Sequence, residues 1–185
     1  MTSLVRKIMV LWVIGMSLVI LDCSNLRGAD ARAPCDVRLP CSLKEALVAR
    51  YIGYRLVTLN DLVADQRSFW RLDFPNGCPG IAEIDLDGNG WVDIGLNLLL
   101  PSRQRDQNIF VLALRMGAQW ELVQVTEDRG GPVAVLWADK SVRYESHEGE
   151  SLIFPNGAFV LAGYGSWSRA YGFVDSELRF VQLTD

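Results

Sequence analysis

The stretch Asp85-Leu86-Asp87-Gly88-Asn89-Gly90-Trp91-Val92-Asp93 narrows most what this chain can fold into. Oxygen-bearing side chains recur at alternate positions around two glycines, and side chains spaced in that way can curl inward on one point. A hard cation such as calcium takes about six to eight oxygens at flexible angles. Asp85, Asp87, Asn89 and Asp93 offer side-chain oxygens, Gly90 the sharp turn, and Trp91 a backbone carbonyl. Asp85, Asp87, Asn89, Trp91 and Asp93 are therefore the candidate metal ligands, and calcium is the cofactor they imply. The flanks, residues 80–84 and 92–100, are short apolar runs with β-branched residues and no helical spacing, so a strand enters the loop and a strand leaves it. The plainer alternative is a hairpin turn, because Asp-Gly and Asn-Gly accept the positive φ that tight hairpins require. Turn chemistry alone does not call for Asp85 and Asp93.

The first half of the loop follows the spacing of an EF-hand, with oxygens at places one, three and five and glycine at six. The second half does not, since the bidentate Glu of that motif would fall at Leu96 and no helix pattern flanks the loop. The residues Asp85, Asp87, Asn89, Gly90 and Asp93 between two strands resemble the short Asp-x-Asp-Gly-Asn-Gly-x-x-Asp loops of FG-GAP and VCBS-type β repeats. The chain is also similar to single-copy secreted bacterial proteins whose function is unassigned. A Phe-Gly…Gly-Ala-Pro lead-in and further copies of the loop are absent, so the resemblance is to one loop and its flanking strands.

At the start of the chain Arg6 and Lys7 precede an apolar run from Ile8 to Leu21, and a polar stretch leads to Ala29-Asp30-Ala31. This is the pattern of a secretory signal peptide with cleavage after Ala31. The expected organisation is a signal peptide over residues 1–31 and one β-rich domain with an N-terminal helix over 32–185, secreted or periplasmic. Cys23 admits a lipoprotein reading, but Asp22 stands where a small residue belongs. The full chain carries a net charge of −4, and cleavage removes three basic and two acidic residues to leave −5. With no basic cluster, a nucleic-acid partner is not expected. No second apolar run approaches spanning length, so no membrane association is expected after cleavage. Cys35, Cys41 and Cys78 would then lie in an oxidising compartment, where pairing is the default. Cys78 could bridge to Cys35 or Cys41, or Cys35 could bridge to Cys41; spacing does not choose.

Ser42-Leu43-Lys44-Glu45 has the form of a capping box, and predicts a helix of roughly ten residues ending near Gly53 with Leu43, Ala46 and Leu47 on one face. Residues 60–64 could form a further short turn. From Phe69 onward the pattern is of short β runs, over residues 69–74, 80–84, 92–99, 108–115, 120–126, 133–137, 141–144, 152–154, 159–164, 170–174 and 178–183, divided by turn residues. Residues 116–119 and 175–177 are natural hairpin tips. The expected fold class is α+β, mainly β: a capped N-terminal helix packed on one or two twisted antiparallel sheets. Phe-Pro-Asn-Gly occurs at 74–77 and again at 154–157, the same turn chemistry used twice.

Catalytic patterns are sparse. His147 is the single histidine and lies in an acidic, aperiodic run. Gly165-Ser166-Trp167-Ser168-Arg169 lacks the closing glycine of a nucleophile elbow. Trp70, Trp91, Trp120, Trp137 and Trp167 could form core or, in part, a platform for a sugar or a peptide. The sequence favours a binding or envelope-support module whose partner is a glycan or another extracytoplasmic protein. A secreted hydrolase or glycan-active enzyme, or an inhibitor or chaperone of another secreted protein, are the alternatives.

Overall fold

The computed structural model describes residues 39–102, 104, 106–126, 133–146, 148–163 and 167–184. The expected signal peptide, Cys23, Cys35, His147 and Gly165-Ser166 lie outside the described residues. Among the described residues two helices, α1 (Cys41–Arg50) and α2 (Ala64–Asp73), accompany eleven strands: β1 (Arg55–Leu56), β2 (Ile81–Ile84), β3 (Asp93–Leu100), β4 (Gln107–Met116), β5 (Gln119–Thr126), β6 (Val135–Asp139), β7 (Arg143–Glu145), β8 (Ser151–Ile153), β9 (Ala158–Gly163), β10 (Trp167–Val174) and β11 (Glu177–Thr184). The fold is α+β and mainly β, and these strands pair antiparallel throughout.

The strands form two main sheets and a separate β7–β8 hairpin. In the first sheet β3 lies between β4 on one side and both β1 and β2 on the other, with β5 beyond β4. In the second the order is β11-β10-β9-β6. Ten of the eleven strands, β2 to β11, follow the alternation in the sequence, while β1 was not expected from it, and the pairing departs from a simple meander. β6 pairs with β9, and the β7–β8 hairpin leaves the sheet between them.

Period-two alternation then decides which side chain meets which layer. On β3 and β4, Ile94, Leu96, Leu98, Ile109, Val111 and Ala113 pack with Leu43 and Leu47 of α1. The alternate residues Phe110, Leu112 and Leu114 meet Leu136, Phe159 and Leu161 of the second sheet. Both faces of β3 are covered, which is why its sequence is a nearly unbroken apolar run rather than an alternating one. Gly95 sits where the sheets approach closely: a Cβ there would lie 3.1 Å from the Phe159 ring. The far face of the second sheet, Val160, Ala170 and Val181, is covered by Tyr144 and Phe154 around the small hairpin.

Two local expectations are corrected. Residues 69–74 are not a strand; all but the last complete α2, which buries Trp70 and Gln66 and leaves Phe69 and Leu72 exposed. The Trp70 indole donates to the Gly77 carbonyl at 3.1 Å and its ring stacks on Phe74 at 4.5 Å, closing the first Phe-Pro-Asn-Gly turn under the helix. The Ser42–Glu45 capping box does not form either. α1 starts two residues earlier, with Pro40 as its N-cap, whose carbonyl accepts from Lys44 N–H at 3.0 Å with no side-chain cap. The Ser42 hydroxyl accepts instead from the Trp120 indole at 3.1 Å, joining α1 to β5. The reciprocal cap is found at Thr58 and Asp61, where the Asp61 carboxylate accepts from the Thr58 N–H at 2.8 Å and from its hydroxyl at 2.9 Å. Gly53 adopts positive φ after α1, as a helix stop requires.

Candidate metal centre

β2 ends at Ile84, which pairs with Asp93 at the start of β3, so residues 85–92 are the loop of one antiparallel hairpin. Gly88 and Gly90 both take positive φ, at 75° and 86°. Gly90 has open space around it, so its requirement is conformational alone. Gly88 is also crowded, since a Cβ there would lie 2.6 Å from the amide nitrogen of Asn156 in the second Phe-Pro-Asn-Gly turn.

The aspartates organise the loop by accepting backbone N–H groups. Asp85 accepts from Gly88 and Gly90 with its two oxygens, each at 2.9 Å. Asp87 accepts the Asn89 N–H at 3.0 Å, and the Asn89 amide oxygen accepts the Trp91 N–H at 2.8 Å. Asp93 is fully buried; it accepts from Leu86 N–H at 2.9 Å and from Arg115 N–H of β4 at 2.7 Å. Hairpin and neighbouring strand are thus tied through one carboxylate.

These bonds bring oxygens of Asp85, Asp87 and Asp93 within 4.8 Å of one another. Two ligands of one calcium ion, each at about 2.3–2.6 Å, lie at most about 5 Å apart. The three carboxylates are therefore close enough together to hold one metal ion. Burial pushes the Asp93 carboxyl above the usual carboxylate range, the Asp87 charge adds to this, and the N–H groups of Arg115, Leu86 and Asp87 oppose it. A cation would act on the same balance by favouring the charged form.

Three of the five ligands read from sequence, the aspartates, bring carboxylate oxygens together. Asn89 is turned the other way: its amide nitrogen donates to Asp87 at 2.9 Å and to the Arg115 carbonyl at 3.0 Å, so its oxygen faces the Trp91 N–H. Trp91 is 46% exposed and its ring lies under the Arg115 guanidinium at 4.5 Å. Arg115 and Asn156 were not legible as partners of the loop. The only hint was that Arg115 ends a predicted strand and Asn156 sits in the repeated turn at 154–157.

The loop also forms one wall of a cavity of about 570 Å³ between the ends of the two sheets. Asp87, Asn89 and Trp91 line it from the loop, with the β4–β5 tip, the 154–157 turn and the β10–β11 tip as the other walls.

Fold and site together define a mainly β, three-layered protein whose β2–β3 hairpin carries a three-carboxylate loop. No family model, characterised protein or solved structure matches the chain. Among the described residues no helix is long and apolar enough to cross a membrane, and neither Cys41 nor Cys78 is a free thiol.

Proposed function

We propose that the 85–93 loop binds calcium as a structural ion and that the protein is exported, disulfide-bonded and acts outside the cytoplasm as a binding or envelope-support module. The observation that carries the metal reading is the convergence of Asp85, Asp87 and Asp93 within 4.8 Å at a hairpin whose sequence has alternating oxygen donors. Export rests on a separate feature, the basic pair Arg6 and Lys7 followed by the apolar run at residues 8–21.

Extracellular modules bind calcium at about 10⁻⁴–10⁻³ M. At tenfold saturation the ion would add about 1.4 kcal/mol to folding stability, or about 3–6 °C in melting temperature for a chain of this size. The test is a melting curve of the protein without residues 1–31 in calcium, in magnesium and in chelator. Calcium should raise the midpoint by that amount, and Asp87→Asn, at an exposed position, should abolish the increment. Coincident curves in calcium and chelator sink the metal reading. A second reading is favoured by a specific observation: the aspartates already spend oxygens on the loop's own N–H groups. On that reading the loop is a self-capped turn, and the coincident curves are what it requires.

A binding role is favoured over a hydrolytic one. Glu121 and Asp175 both line the cavity, but both are exposed at hairpin ends. Edman sequencing of the exported product, expected to begin at Arg32, tests the localisation.

A further inference from the structure

We infer that the cavity between the sheet ends binds an organic cation, an ammonium or guanidinium carried on an alkyl chain. Its volume of about 570 Å³ lies within the range of about 300–1,000 Å³ usual for small-ligand sites. Three carboxylates, Asp87, Glu121 and Asp175, reach it from three different hairpins, and among the described residues no lysine, arginine or histidine lines it. None of the three forms an ion pair among the described residues. The neighbouring cation, Arg115, is held over the Trp91 ring and donates from Nε to the Gly117 carbonyl at 3.1 Å. Apolar Trp91, Leu114, Met116 and Phe173 line the cavity as well, beside the polar Asn89, Asn156 and Ser176. A charged head with a hydrocarbon stem matches both halves of that lining: the head meets the acids, and the stem covers Leu114 and Phe173. A neutral sugar would use the aromatic wall but gain no charge pairing from the three carboxylates. The net acidic chain adds long-range attraction for cations.

Calcium is not required for this site. Asp87 belongs to both sites, so calcium at the loop neutralises one of three charges and weakens cation binding, reciprocally. Glu121 and Asp175 carry the head group whether or not the loop is filled.

The experiment is isothermal titration of the protein with 1,5-diaminopentane, agmatine and N-acetyl-lysine methylamide, against methyl glucoside as neutral control, in calcium and in chelator. Saturable binding of the cations is expected, weaker at high salt and weaker with calcium than without. The lysine derivative against the free diamine distinguishes a peptide side chain from a free amine as the source. Glu121→Gln and Asp175→Asn, both at exposed hairpin ends, should each weaken binding by about tenfold, and the two together by more. If the double variant loses its cooperative melt, the single variants carry the comparison. No saturable binding, equal binding by the double variant, or tighter binding of methyl glucoside overturns the inference. Binding that appears only with calcium also overturns it while sustaining the metal site. Amine binding with no calcium effect on melting sinks the metal reading and leaves this one standing.

Discussion

Asp93 joins the loop to the sheet from a buried position, beside the exposed Asn89 link to the Arg115 carbonyl. Its two oxygens face backbone N–H groups of Leu86 and Arg115, and the side chain is wholly buried. Asp93→Asn would turn an amide donor toward one of those donors, so a loss of about 1–3 kcal/mol is expected in chelator, read by urea unfolding. A loss confined to calcium-containing buffer would show that the residue is only a ligand. The raised pKa of Asp93 adds a pH signature to the calcium-free protein. A carboxyl raised on folding is one the folded state prefers protonated. Its favourable contribution is complete below the unfolded value of about 3.9 and is lost as pH rises through the folded one. The stability of the wild type relative to Asp93→Asn should therefore decline from about pH 4 toward neutrality in chelator. A constant or rising difference would mean that the N–H bonds outweigh burial. The aspartates were legible because alternation is a property of the sequence. The orientation of Asn89 was not, because an amide offers a donor and an acceptor and only the Arg115 carbonyl, remote in sequence, selects between them.

At the scale of elements, α2 shows where reading by residue type fails. Phe69, Trp70 and Leu72 suggested a strand, yet Phe69 and Leu72 are 54% and 78% exposed and the buried positions are Gln66 and Trp70. The helical period is carried by residues 66, 70 and 74, one of them polar, so an apolar-run criterion passed over it. The burial decides a test. Trp70→Ala should cost about 3–5 kcal/mol, whereas Leu72→Ala, two residues further on and on the wet side, should stay within about 0.5 kcal/mol. Similar losses at both sites would restore the strand reading. The capping box failed for a related reason: Ser42 and Glu45 have the right spacing, but Pro40 sets the helix start and Trp120 takes the hydroxyl.

For the molecule as a whole, ten of the eleven strands among the described residues were readable and their partners were not. Which strands lie side by side depends on contacts far apart in sequence, such as β6 with β9, or Asn97 donating to the Ala134 carbonyl at 2.6 Å and so joining the two sheets. The resulting layers predict a hierarchy of opening. β3 and β4 have hydrogen-bonded neighbours on both sides and covered faces on both, whereas β11 ends its sheet and β7–β8 forms a sheet of two. Amides exchange through local opening where burial is thin, and through global unfolding where it is complete. In hydrogen–deuterium exchange, peptides over 93–100 and 107–116 should be the slowest, and those over 143–153 and 177–184 should exchange well before them. Calcium, if it binds as proposed, should slow residues 85–92 first. It should slow β3 and β4 only to the extent that it raises the global stability, because Asp93 is the one side chain that belongs to both the loop and β3. Early exchange over 93–100 would contradict the doubly covered position of β3 and with it the three-layer arrangement that holds the aspartates together.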